Sequence, residues 1–163
     1  INSFSKYFSL TGWRLGWMIV PEPFIRVIEK LAQNLFICPS TSSQFLGLFT
    51  MNSSANFEEK VHEYKLNRDM LMAHLPNLGF SKIIEPDGAF YIYANISRFN
   101  QDSDALVRDI LRDVGVAITP GSDFDSSRGK ETVRFSFACS PAEVEEAIRR
   151  LTWWYEHHAK VTN

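Results

Sequence analysis

Lys6 lies in a run of hydroxyl, aromatic and glycine residues: Ser3-Phe4-Ser5-Lys6-Tyr7-Phe8-Ser9-Leu10-Thr11-Gly12-Trp13-Arg14-Leu15-Gly16-Trp17. A lysine amine attacks a carbonyl only while unprotonated, and partial burial beside a second cation favours that form. Lys6 among aromatics, with Arg14 close behind it in sequence, has the setting such chemistry needs, and we expect it to be partly buried. Arginine also presents a planar fork of donors suited to phosphate oxygens, and Ser3 and Ser5 supply hydroxyls that complete a small anion cradle. A lysine for a carbonyl and an arginine for a phosphate point to a cofactor that carries both groups.

A second arginine stands in a different kind of segment. Thr132 to Cys139 alternates, with Val133, Phe135 and Phe137 on one face and Arg134 and Ser136 on the other. A guanidinium fixed on a strand can grip a carboxylate through two parallel hydrogen bonds. From pattern alone, such an arginine reads first as half of a structural ion pair.

The lysine segment resembles the pyridoxal-phosphate-dependent aminotransferases of fold type I, the class related to aspartate aminotransferase. Their serine-x-x-lysine and glycine-x-arginine elements appear as Ser3 to Lys6 and Gly12-Trp13-Arg14, with Trp13 at a variable position. The resemblance implies that Lys6 bonds pyridoxal 5'-phosphate and is catalytic, and that Arg14 and Ser3, with Ser5, hold the phosphate. Val133-Arg134-Phe135-Ser136 is similar to the family's valine-arginine-x-serine context, where the arginine binds the substrate α-carboxylate; this reverses the ion-pair reading of Arg134. Pro86-Asp87-Gly88-Ala89-Phe90-Tyr91 and Pro120-Gly121-Ser122-Asp123-Phe124 resemble two family turns, and Phe90 is the substrate contact expected from the first.

By the same resemblance the partners are an amino acid and a 2-oxo acid, and the parent protein is a homodimer with sites at the subunit boundary. The motif lies near the beginning of the chain, so we expect the chain to be the carboxy-terminal part of a longer enzyme and to be inactive alone. Two alternatives keep the fold. One is a lyase, because bond choice depends on substrate orientation. The other is the aminotransferase-like effector domain of a transcription regulator, although such domains tend to carry proline-glycine where this chain has Thr11-Gly12-Trp13. A structural or dimerising module with an inert Lys6 is the third reading.

Composition narrows the field. At 45% hydrophobic residues the chain of 163 residues can bury a domain-sized core. A formal net charge of -2 gives no broad basic footprint for nucleic acid or anionic membrane. No apolar run reaches the roughly 20 residues that span a bilayer, so a soluble, cytoplasmic protein is expected. Cys38 and Cys139 lack paired zinc spacing and read as reduced, partly buried thiols. His62, His74, His157 and His158 show no metal-ligand spacing and read as surface residues, so no metal is expected.

The elements that must position these side chains form an α/β pattern. Residues 1–54 are expected to end a large cofactor-binding domain, 55–78 to form a long interdomain helix, and 79–163 to form a small α/β sandwich with a short, mainly antiparallel sheet covered by helices. A buried strand is predicted over Gly16 to Val20. A helix opened by Pro21 and Pro23 and a smaller one after Ser40 to Ser43 follow. Truncation would expose apolar surface between Phe24 and Phe49. Asn56 and Glu59 have capping-box spacing for the long helix, which Pro76 and Gly79 end.

Further strands are predicted over Phe80 to Ile84, Ala89 to Ile96, Val116 to Thr119 and Thr132 to Cys139. A helix from Ser103 to Val114 should turn Leu106, Val107, Ile110, Leu111 and Val114 inward and stop at Gly115. The last helix carries Ser140 as cap, Pro141 in its first turn and Glu143 completing the box. Lys160 to Asn163 should fray. Trp13 and Trp17 are expected to pack rather than stack on a cofactor.

Overall fold

A computed structural model describes residues 1–53, 56–99 and 102–159. The chain divides into two compact units, Ile1–Val61 and His62–Asn163. The expected fraying of Lys160 to Asn163 lies outside the described residues.

In the first unit, β1 (Asn2–Ser3) pairs antiparallel with β2 (Gly16–Trp17), joining Asn2 to Trp17 and Ser3 to Gly16. The predicted buried strand over Gly16 to Val20 therefore shortens to two residues, both exposed, because β1 offers only two residues to pair with. α1 (Glu22–Leu35) starts from Pro21, with Pro23 in its first turn, where a missing N–H costs no helical bond. α2 (Thr41–Asn52) is capped by Ser40, whose hydroxyl accepts from the Ser43 amide at 3.3 Å. No residue of α1 is buried. Leu35 is 77% exposed and Phe49 on α2 is 71% exposed, matching the apolar exposure expected between Phe24 and Phe49.

α3 (Glu58–His74) crosses the division between the units. Asn56 accepts from the Glu58 amide at 3.2 Å and donates its side-chain amide to the Glu59 carboxylate at 3.1 Å, so the two residues are linked side chain to side chain and the expected capping box, with its reciprocal backbone bonds, does not form among the described residues. A short helical turn, Leu75–Leu78, and Gly79 at φ 86° end the helix where Pro76 and Gly79 predict.

The second unit is a three-stranded antiparallel sheet in the order β3-β5-β4: β3 (Tyr91–Asn95), β5 (Thr132–Ser136) and β4 (Thr119–Pro120). One face is buried. Ile92 and Ala94 of β3 and Val133 and Phe135 of β5 join Leu71 and Leu75, Ile110 of α4 (Ser103–Val114), and Val144, Ile148 and Leu151 of α5 (Pro141–Trp154) in one core. Each fully buried aliphatic side chain of this kind stabilises the fold by about 1.5–3 kcal/mol. Asp102 caps α4 at 2.9 Å and Gly115 closes it at φ 68°. The Ser140–Glu143 capping box of α5 is complete.

Several expectations are corrected. Phe80 to Ile84 forms only a single bridge, Ser81 to Asn95, since Lys82 at φ 48° leaves the extended region. Of Val116 to Thr119 only Thr119 joins the sheet, opposite Arg134, and the strand ends one residue on at Pro120, which supplies no amide to extend it. Leu111 is 52% exposed, because one position past Ile110 turns a side chain about 100° off the buried stripe. Trp13 and Trp17 are 45% and 40% exposed rather than packed away, and Cys38 is exposed while Cys139 is half-buried. Burial raises the Cys139 thiol pKa, with a smaller push from the Glu143 carboxylate. The four histidines are exposed, as expected.

Candidate active site

Ser3, Ser5, Lys6 and Arg14 lie on one closed loop of the first unit. The β1–β2 pair shuts its base, and the Phe4 amide donates to the Leu15 carbonyl at 3.1 Å just inside. Phe4 is buried and anchors the loop from within. The Leu10 amide returns to the Phe4 carbonyl at 3.0 Å, and the Thr11 hydroxyl bonds the Ser5 carbonyl, so the chain doubles back around Lys6. The Ser9 amide donates to the Lys6 carbonyl at 3.0 Å and fixes the backbone of that lysine. The lysine side chain is exposed, so the partial burial expected for it is not supplied by this chain.

Arg14 takes the left-handed conformation at φ 51° and ψ 46°, which a side-chain-bearing residue adopts only when its surroundings require it. Its Nη1 donates to the Thr11 carbonyl at 3.1 Å, and no carboxylate pairs with it among the described residues. Most of its donor fork is therefore left for an anion. The Ser3 hydroxyl accepts from the Ser5 amide at 3.0 Å and keeps its own proton for donation.

Two supports were not legible as site residues. Ser43, buried at the start of α2, donates its hydroxyl to the Trp13 carbonyl at 2.7 Å and so holds the residue beside Arg14. Tyr7 donates to the Glu58 carboxylate at 2.7 Å, tying the residue after Lys6 to the start of α3. That bond, with burial adding to it, raises the Tyr7 pKa and keeps the phenol protonated.

Arg134 and Phe90 belong to the second unit. Arg134 is on the central strand, opposite Tyr93 on β3 and Thr119 on β4, so all three share the face away from the core. Its guanidinium carbon lies 4.4 Å from the centre of the Phe124 ring and 5.3 Å from that of Tyr91. Nη2 reaches the Thr119 hydroxyl at a long 3.5 Å, and the buried Nε has no acceptor. No ion pair involves Arg134 among the described residues, so the pairing that pattern alone suggested is not there. Phe90 packs against the core, and its carbonyl accepts from the Phe137 amide at 2.8 Å. Tyr91, one ring further along, is the aromatic that meets Arg134. The alternation Tyr91-Ile92-Tyr93 carried that signal, since it sets both tyrosines on the polar face of β3.

The chain as a whole is similar to known proteins. The family model for aminotransferase class I and II matches residues 1–151. The chain belongs to that aminotransferase family. Among its relatives, the valine–pyruvate aminotransferase of Mycobacterium tuberculosis is 44% identical over 156 residues, which cover 94% of this chain and 40% of that protein. A crystal structure of an aminotransferase from Mycobacterium tuberculosis superposes with a TM-score of 0.89 at 42% identity, covering 95% of this chain and 41% of that one. An aspartate aminotransferase of Sulfurisphaera tokodaii is 31% identical over 93% of this chain and 39% of its own length. This chain thus spans about 40% of the length of the relatives it matches. No helix among its described residues is long and apolar enough to cross a membrane.

Proposed function

We propose that the full-length protein carrying this chain is a pyridoxal-phosphate-dependent aminotransferase that moves an amino group between an amino acid and a 2-oxo acid. Family membership supports the reaction class. The observation that carries the site assignment is the state of Arg134: a guanidinium with no acidic partner among the described residues, and with a buried Nε lacking an acceptor, on the outward face of the central strand. An unsatisfied buried donor costs about 1–3 kcal/mol, a cost that binding a carboxylate in two-pronged fashion would offset.

The loop of the first unit suits pyridoxal phosphate by the chemistry of its donors. Arg14, with the Ser3 and Ser5 hydroxyls, would hold the phosphate, and the Lys6 Nζ would bond the carbonyl carbon. When bound, the cofactor supplies the electron sink for chemistry at the substrate α-carbon. Lys6, once its amine is released, would take up the α-proton at Nζ and deliver it on the cofactor side rather than back to the α-carbon, the proton movement that amino transfer requires. Arg134 would orient the substrate by its carboxylate, and Phe90, in the turn before Tyr91, would be a further substrate contact. α3 is the element that would link the two functional regions, and the whole protein would act as a cytoplasmic homodimer.

Amino-transfer assays on the full-length protein test this. Arg134→Gln should raise KM for the amino acid by about tenfold or more, as expected for a lost charge-assisted bidentate contact. The 163-residue chain alone should show no turnover with added cofactor. An unchanged KM in the variant would remove Arg134 from the site.

A further inference from the structure

An arginine on a strand is commonly held by an acid, and an acid would compete with any incoming carboxylate. Arg134 is held differently. Phe124 and Tyr91 place their rings at 4.4 Å and 5.3 Å from the guanidinium carbon, and the two rings are themselves linked through Tyr93, which meets Tyr91 at 6.0 Å and Phe124 at 6.3 Å, both edge-on. Ring faces attract a cation without contributing an oxygen that accepts its hydrogen bonds. The planar fork is thereby restrained while its charge stays unneutralised. Among the described residues, Thr119 gives the one side-chain acceptor, at 3.5 Å.

We infer that Phe124, assisted by Tyr91, is a positioning residue for carboxylate recognition: it holds the Arg134 guanidinium by its ring face so that the fork is preset for an α-carboxylate. This rests on the reading of Arg134 as the carboxylate anchor. Phe124 is 52% exposed and is not part of the buried core, so shortening it opens no cavity there. An ordered fork loses less freedom on binding than a mobile one, and that difference appears as affinity for charged ligands.

The test titrates the full-length, cofactor-loaded protein calorimetrically with 3-methylbutanoate and with its uncharged amide, 3-methylbutanamide. Phe124→Leu should weaken carboxylate binding by about fivefold to tenfold and leave amide binding unchanged, while Phe124→Tyr, which keeps the ring, should bind the carboxylate as the parent does. Arg134→Gln should abolish the preference for carboxylate over amide. Should that preference survive in Arg134→Gln, the anchor reading falls, and this inference with it. Should Arg134→Gln lose the preference while Phe124→Leu binds both ligands as the parent does, the anchor stands and the positioning role is overturned. An equal loss for acid and amide in Phe124→Leu also overturns it, since that marks general disruption. If Phe124→Leu does not fold, Tyr91→Leu makes the same comparison, with an expected carboxylate-selective loss of about twofold to threefold at its longer ring distance.

Discussion

The second unit buries Leu75, Ile96, Leu106, Ile110 and Val133 completely, whereas in the first unit Phe4 is the sole large apolar side chain that is buried among the described residues. Both units nonetheless have well-formed, capped helices. The contrast separates two contributions to a fold. Local signals such as Ser40, Ser140 and the leading prolines determine where a helix starts, and they act alike in both units. Tertiary burial is a different matter: α4 and α5 find a sheet to cover, while no residue of α1 is buried among the described residues. Helical stability comes mostly from such packing, so the second unit should carry most of the stability of the chain.

Core truncation should expose that difference most strongly. Ile110→Ala is expected to destabilise the second unit by about 2–5 kcal/mol, read as earlier unfolding in denaturant and faster exchange of β3 and β5 amides. A change of less than about 1 kcal/mol would mean that this core is loosely packed. Ser140→Ala, which removes the α5 cap, should cost about 1 kcal/mol and lower the thermal midpoint by several degrees.

Acid should have a smaller effect on the same unit. Glu146 receives bonds from Arg149 and Arg150 at 2.6 Å and 2.7 Å, and these partners hold its pKa at about 2 rather than 4.5. Because the folded value is the lower one, the stabilisation is fully present above pH 4.5 and is lost as pH falls through about 2. A titration of the Glu146 carboxyl by carbon-detected NMR should show its midpoint near 2; a midpoint near 4.5 would mean the pairs are not held in solution. Smallest of all, Leu35→Ala on α1 should change stability by no more than about 0.5 kcal/mol, because the side chain is 77% exposed. A larger loss would show that the stripe is covered in solution.

Where the sequence was read well, the structure follows from signals adjacent in the chain. Gly115 stops α4, Ser140 and Glu143 box α5, and the alternation from Thr132 places Arg134 opposite the core face. Where it was misread, the deciding contact is remote or the backbone is unusual. Nothing in Phe80 to Ile84 announces the left-handed Lys82 that ends its pairing. The buried Asn67, which donates to the Phe137 and Cys139 carbonyls at 3.1 Å and 2.8 Å, interrupts an otherwise apolar stripe for a partner seventy residues away in sequence. The lysine loop was legible as a motif, yet its Ser43 and Tyr7–Glu58 supports were not, since those bonds join distant segments. The aromatic setting of Arg134 likewise depends on strand register and on a loop that folds back across it.

Of all these claims, the covalent role of Lys6 bears most weight. The direct measurement is borohydride reduction of the full-length protein with pyridoxal phosphate, followed by digestion and mass spectrometry. The phosphopyridoxyl mass is expected on the peptide containing Lys6 and absent from it in Lys6→Ala. Label confined to another lysine, or no label on a folded protein, would contradict the account.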